Sequence, residues 1–246
     1  MPREDHAGEV YNDSYFFGGG PGYFNYLSYS DILRGYGRRY AKLLSAHMQP
    51  GRLLDVGAAA GFTTDGFRSA GWEPEGIDPN PTMVNYARDQ LGLPFNVATL
   101  ETFCSSRVYD LVVMIQVAAH FTDLDRALSV AAEMTRPGGY WLIETWNNRS
   151  LTARTFGSHW HVYNPPGVLQ YFNSCSLKLL CKRFGMQPVD SGRPRKRIQF
   201  GHAASLLAFH LSHKPTFELP RYLPSRISAP YPSEDVFWTL FQKEKA

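Results

Sequence analysis

The sequence predicts an α/β fold: an open, mostly parallel sheet with helices on both faces. Three observations carry that prediction. Strand-like and helix-like segments alternate through residues 52–145, the pattern of a parallel sheet with right-handed crossovers. The run Tyr109–Val117 (YDLVVMIQV) is apolar almost throughout, as suits a central parallel strand buried on both faces. The stretch Leu53–Gly61 (LLDVGAAAG) sets an acid and a glycine-bounded turn after a strand. Small residues at such a turn let a ligand approach the backbone closely.

Each element follows from local signals. Residues 1–10 are polar and expected to fray. The segment YNDSYFFGGGPGYFNYLSYSD, from Tyr11, is dense in Tyr and Phe, and its Gly18–Gly20 and Pro21–Gly22 argue against a regular helix. Exposed aromatics need a surface to cover, so this arm is either a lid over a pocket or a packed terminal segment. Residues 31–48 carry Ile32, Leu33, Tyr36, Tyr40, Leu43 and Leu44 at helical spacing.

Arg52–Gly57 reads as a strand, Phe62–Ala70 as a helix and Glu73–Asp78 as a strand. Asn80 can cap a helix opened by Pro81 and closed by Gly92. Phe95–Thr99 and Tyr109–Val117 are strands. Thr122 with Asp125 suggests a capping box for the next helix, stopped by Pro137–Gly138–Gly139, and Tyr140–Thr145 is a strand. Residues 147–167 read as a loop. Ser174–Phe184 reads as a helix, Arg195–Phe200 as a strand and residues 202–214 as a short helix. Residues 215–232 look irregular, and Asp235–Gln242 is a final strand. The domain organisation expected is an arm over residues 1–39 and one domain over 40–246, with substrate-side insertions near 147–172 and 200–232.

Composition excludes several classes. Net charge is +3 in 246 residues, which calls for neither nucleic acid nor a membrane surface. The basic run Arg193–Arg197 is read as a solvated loop. Cys104, Cys175 and Cys181 form no C-x-x-C pair, which speaks against a zinc site or a disulfide framework and for a reduced compartment. No apolar run reaches the roughly 18 residues of a membrane span, and MPREDHAGEV lacks the apolar stretch of a signal peptide. A cytoplasmic protein without a metal is expected.

A parallel sheet binds ligands beyond the carboxyl ends of its strands. That gathers Gly57, Asp78, Thr99 and Gln116 around one crevice. A nicotinamide or flavin dinucleotide would need a third glycine where Phe62 stands, and Phe62 is too bulky for the close helix–strand contact there. The loop lacks Gly-Lys-Ser/Thr and is no P-loop.

The series LLDVGAAAGF, GWEPEGIDPN, NVATLETF, YDLVVMIQVAAHF and RPGGYWLIET, flanked by YFFGGGPGYFNY and YFNSCSLKLLCKRFGM, resembles the class I S-adenosylmethionine-dependent methyltransferases. More narrowly, it is similar to the group of ubiquinone-biosynthesis-like and natural-product or sugar O-methyltransferases. The resemblance covers most of residues 11–190. It implies a Rossmann-like seven-stranded, mostly parallel sheet with an aromatic N-terminal lid, and S-adenosyl-L-methionine as cofactor. It also implies roles. Asp55, Gly57, Ala59 and Gly61 would line the methionine end of the cofactor, and Asp78, with Pro79 beside it, would bind both ribose hydroxyls. Thr99, Leu100 and Glu101 would flank the adenine. Gln116 and Val117 would lie beside the sulfonium, and Tyr15 and Tyr26 would close over the cofactor. Ala59 departs from the family's middle glycine, which is tolerable if the turn keeps negative φ there.

The expected reaction is methyl transfer to a hydroxyl of a small molecule, a secondary metabolite or sugar. N- or C-methylation and a cofactor-binding, non-catalytic subunit stay open as alternatives. A hydroxyl nucleophile needs a base. The candidates are His120, which follows the fourth strand, and His159 and His161 in the loop after the fifth, with Tyr163 nearby. Relatives often carry PPGH where this chain has PPGV ending at Val168, so a base at that position is absent. A small-molecule acceptor and a possible homodimer are the partners expected, with no nucleic acid and no membrane.

Overall fold

The computed structural model describes residues 6–18, 23, 25–163, 165–199, 228–231 and 233–245. The chain forms two compact units, Met1–Arg193 with Glu234–Ala246, and Pro194–Ser233. In the second unit, β7 (Lys196–Gln199) pairs antiparallel with β8 (Ser228–Tyr231). β8 lies where the sequence looked irregular, and the helix expected over 202–214 lies outside the described residues.

The first unit holds a seven-stranded sheet in the order β3-β2-β1-β4-β5-β9-β6. Its strands are β1 (Arg52–Val56), β2 (Glu73–Asp78), β3 (Phe95–Val97), β4 (Tyr109–Ile115), β5 (Thr135–Trp146), β6 (Met186–Gly192) and β9 (Val236–Lys243). β1 to β5 run parallel. β9 enters between β5 and β6, antiparallel to both. The order reverses between β1 and β4, which opens the crevice beyond their carboxyl ends.

Alternation along the strands divides the core, because successive side chains point to opposite faces. Leu53, Leu111, Val113, Leu142 and Leu240 pack with Tyr40, Ala41 and Leu44 of α3 (Ser30–Leu44) and Phe67 of α4 (Phe62–Arg68). Leu54, Val112, Met114, Ile143 and Phe241 pack on the other face. Their partners are Leu128 and Ala131 of α6 (Leu124–Met134) and Leu177 and Cys181 of α8 (Ser174–Lys182). α5 (Pro81–Leu91) starts at Pro81 with Asn80 capping the Met83 N–H, and ends at a left-handed Gly92.

Several local readings need correction. α1 (His6–Val10) and α2 (Asp13–Phe17) form where fraying and an irregular arm were expected. Asn12 caps α2 and Gly18 ends it, so the glycines limit the helix rather than forbid it. α6 is capped by Asp123, whose side chain accepts from Arg126 N. Thr122 is turned away to bond Glu101. α7 (Leu151–Phe156) occupies the expected loop, capped by Ser150, and Glu234 accepts from its first two N–H groups. β6 follows Gly185 without a strand having been expected.

Candidate active site

β1 delivers the chain into a turn with positive φ at Gly57 (66°), Ala59 (47°) and Gly61 (79°). A Cβ on Gly57 would sit 2.7 Å from Val117 Cγ2, and one on Gly61 would sit 2.9 Å from Leu93 Cδ1. The loop is therefore wedged between the segment after β4 and the α5–β3 turn. Ala59 overturns the condition set for it, since its φ is positive. It is held there because its N–H donates to Asp78 Oδ2 at 2.8 Å while its methyl is buried under the arm. A non-glycine residue so placed is strained by roughly 1–3 kcal/mol.

Asp78 ends β2 with Oδ1 accepting from Asn80 N at 2.9 Å. A carboxylate offers about four lone-pair sites, so each oxygen keeps capacity for one more donor. Burial lifts the Asp78 pKa to about 6 against the two backbone N–H bonds. Asp55 in β1 accepts from Thr64 Oγ1 at 2.6 Å. Its pKa rises to about 7, mainly by burial, with the Thr64 bond opposing and the Asp78 charge adding.

The aromatic arm lies on this loop. Tyr26 stacks on Phe62 with centroids 6.0 Å apart, and Phe16, Tyr26, Ala59, Ala60, Phe62 and Met83 form one buried cluster. Tyr15 contacts Tyr11, Phe16 and Tyr23 edge-on. Burial pushes the Tyr15 and Tyr26 hydroxyls well up, and the Asp78 charge acts on both. Asn80 Nδ2 donates to Tyr11 O and to Asp13 Oδ1, both at 3.0 Å, and Thr82 Oγ1 donates to Asp13 Oδ2. Pro79 lines an open groove of about 570 Å³ with Tyr11, Asp13, Asn80 and Thr82.

On the opposite wall, Gln116 follows β4 at φ 59°. Its N–H donates to Glu144 O and its Nε2 to Glu144 Oε1, at 2.8 and 2.9 Å. Tyr40 donates to the other oxygen of Glu144. Gln116 Oε1 is buried with no hydrogen-bond partner among the described residues. Past β3, the Thr99 carbonyl turns the chain by accepting from Thr102 N and Phe103 N. Leu100 is buried in the main core, and Glu101 Oε1 accepts from Thr122 N and Oγ1, lacing the β3 and β4 loops together.

The histidines separate. His120 Nδ1 lies 2.6 Å from both Tyr11 Oη and Gly167 O, and the Tyr11 hydroxyl donates to the same carbonyl. A carbonyl only accepts, so Nδ1 carries the proton. Burial pulls the His120 pKa down against the Gly167 and Gln116 carbonyls. The ring thus knots the arm to the segment before Val168. His161 Nε2 lies 3.8 Å from Asp235 Oδ2; that buried carboxylate also accepts from Trp160 Nε1 at 3.1 Å. His159 is exposed at the end of the single turn Gly157–His159.

The structure therefore gathers Asp55, Gly57, Ala59, Gly61, Asp78, Gln116 and Val117 at the ends of β1, β2 and β4, with Tyr15 and Tyr26 above. Sequence reasoning passed over Glu144, Tyr40, Thr64 and Asp235. A lone acid inside the apolar strand LIET was the signal for Glu144, because a buried charge needs partners. Tyr40 was hidden in an apolar helical stripe.

A family model described as a methyltransferase domain matches residues 28–191. The ubiquinone biosynthesis O-methyltransferase of Rhodopseudomonas palustris (strain BisB18) is 30% identical over 101 residues, covering 39% of this chain and 40% of that protein. The protein of the same name from Cereibacter sphaeroides is 26% identical over 151 residues, 56% of this chain and 61% of the relative. The chain thus matches about two fifths to three fifths of the length of these curated relatives. Among solved structures, the YcgJ protein of Bacillus subtilis aligns with a TM-score of 0.61 at 18% identity, over 86% of this chain and 99% of its own. The magnesium protoporphyrin IX methyltransferase of Synechocystis PCC 6803, with bound SAH, aligns at 0.59 and 12%, over 93% and 91%. These likenesses establish the Rossmann-like fold.

Proposed function

Because the chain belongs to the class I S-adenosylmethionine-dependent methyltransferases, we propose that it methylates a hydroxyl of a small molecule, such as a secondary metabolite or a sugar. The residues present fit the cofactor. Side chains are excluded at Gly57 and Gly61, Asp78 retains acceptor capacity for a ribose diol, and Gln116 Oε1 is an acceptor without a partner among the described residues. When bound, S-adenosylmethionine supplies a methyl group on a sulfonium, open to in-line displacement. The backbone of the Gly57–Gly61 turn, Asp55 and Gln116 would hold its methionine end, and Asp78 its ribose. Thr99, Leu100 and Glu101 would border its adenine.

The observation that carries the hydroxyl reading is the pairing of His161 with Asp235. β9 begins beside the carboxyl end of β5, where Val236 pairs with Trp146, so this pair sits on the crevice side of the sheet. His161 would take the acceptor's proton, and the buried Asp235 carboxylate, 3.8 Å from its Nε2, would steady the resulting imidazolium. His120 would position the arm rather than move a proton, since its Nδ1 is already committed to Gly167. The names of the curated relatives, which are O-methyltransferases, support the same choice of atom.

The test is turnover with phenolic, sugar-hydroxyl, amine and carbon-nucleophile acceptors, reading demethylated cofactor and the methylated atom by mass spectrometry. Methyl on oxygen, with His161→Ala lowering kcat by about 100-fold or more at unchanged cofactor Kd, is the expected result. Methyl on nitrogen or carbon, or cofactor binding without turnover of any acceptor, overturns the proposal.

A further inference from the structure

Glu144 is a carboxylate buried in the middle of the sheet, at 1% exposure, and nothing in the roles above uses it. It sits between Ile143 and Thr145 on β5, on the face that α3 covers. Burying a charge costs free energy unless donors surround it. Two donors do: the Tyr40 hydroxyl from α3 and Gln116 Nε2 from the end of β4. The same residue's main-chain carbonyl accepts from Gln116 N. One residue of β5 therefore grips both the backbone and the side chain of Gln116, which stands in a left-handed conformation that glutamine rarely adopts.

We infer that Glu144 is a positioning residue, fixed by Tyr40, which turns the Gln116 carboxamide so that its oxygen faces the cofactor crevice. A carboxylate only accepts, so the end of the carboxamide that meets Glu144 is its NH2. The oxygen must point away, and it is this oxygen that is buried without a partner among the described residues. An unmet buried acceptor is costly. The chemistry that satisfies it is a strong N–H donor, and the cofactor's α-ammonium is of that class. Next along the chain, Val117 touches the position of a Gly57 Cβ, so Gln116 borders the same turn. Burial and the Glu144 charge hold the Tyr40 proton firmly, keeping that hydroxyl a donor.

The inference rests on the reading that Gln116 faces the cofactor, and a double-mutant cycle separates the two. Kd for S-adenosylhomocysteine is measured by calorimetry on the full chain for wild type, Glu144→Gln, Gln116→Ala and the double variant, with thermal midpoints alongside. The carboxamide introduced by Glu144→Gln offers both a donor and an acceptor, so the Gln116 side chain is released to flip. Glu144→Gln is expected to weaken binding about tenfold, Gln116→Ala about tenfold, and the double variant no more than Gln116→Ala alone. Tyr40→Phe, which keeps the packing, is expected to weaken binding about threefold, and not at all in the Gln116→Ala background. It serves if Glu144→Gln does not fold. A purely structural Glu144 would lower the thermal midpoint and leave Kd within twofold of wild type, which overturns the inference, as do effects that multiply to about a hundredfold. An unchanged Kd for Gln116→Ala overturns the reading of Gln116 itself.

Discussion

Asp55→Asn is expected to stabilise the cofactor-free protein, and by more at pH 8 than at pH 5. Asp55 is 3% exposed, and its side chain accepts from Thr64 Oγ1. Burial lifts its pKa from the ordinary 3.8 to about 7. Below 3.8 the folded and unfolded chains both hold the proton, and no penalty exists. As pH rises from 3.8 the unfolded chain ionises first, so folding loses ground until about pH 7, where the folded carboxyl ionises too. Above that the whole penalty, about 4 kcal/mol at 1.36 kcal/mol per pH unit, is in force. Between pH 5 and 8 the penalty grows by about 3 kcal/mol. Asparagine keeps an oxygen for Thr64 and never ionises, and the cost of its extra N–H group is the same at both pH values. Urea unfolding of both proteins at both pH values gives the comparison directly. With a slope of about 2 kcal/mol per molar urea, the midpoint advantage of the variant should widen by roughly 1.5 M. An advantage that is equal at the two pH values, or absent at pH 8, refutes the reasoning. Affinity for S-adenosylhomocysteine should fall in the same variant, since stability withheld at a buried charge is typical of a binding site.

Two further outcomes follow from the same wall of the crevice. Gly57→Ala drives a methyl to 2.7 Å from Val117 Cγ2 at a φ of 66°, so it should cost about 1–3 kcal/mol of stability and weaken S-adenosylhomocysteine about tenfold or more. A calorimetric Kd equal to wild type would show that the turn does not approach the ligand. Asp78, with its pKa raised to about 6 by burial, accepts from two hydroxyls best when ionised. Affinity for S-adenosylhomocysteine should therefore rise from pH 5 to 7 and level off above, and Asp78→Asn should flatten that profile. A wild-type affinity independent of pH over this range would contradict it.

What the sequence determined by itself was whatever short-range chemistry decides. Pro81 after Asn80 and Gly92 after Leu91 mark α5 at both ends, because capping acts within one turn. The apolar run at Tyr109 is a central strand because nothing else buries both faces, and LLDVGAAAG makes a tight turn after a strand because only small residues fit there. Capping was less legible where two residues competed, as Thr122 and Asp123 did. Short helices in the arm escaped because five-residue helices such as α2 owe their existence to packing rather than propensity.

Tertiary structure alone decided the rest. The place of β9 between β5 and β6 joins segments about a hundred residues apart, and no local pattern encodes such a choice. Ala59 takes positive φ because Asp78, 19 residues on, accepts its N–H. His120 ties the arm to the segment before Val168 only because Tyr11 and Gly167, 109 and 47 residues away, close on its Nδ1. Glu144 gained its meaning only when Tyr40 and Gln116 met across the sheet, 104 and 28 residues away. A buried carboxylate declares its cost in the sequence. Which donors offset that cost is settled by the fold, because those donors lie far apart along the chain.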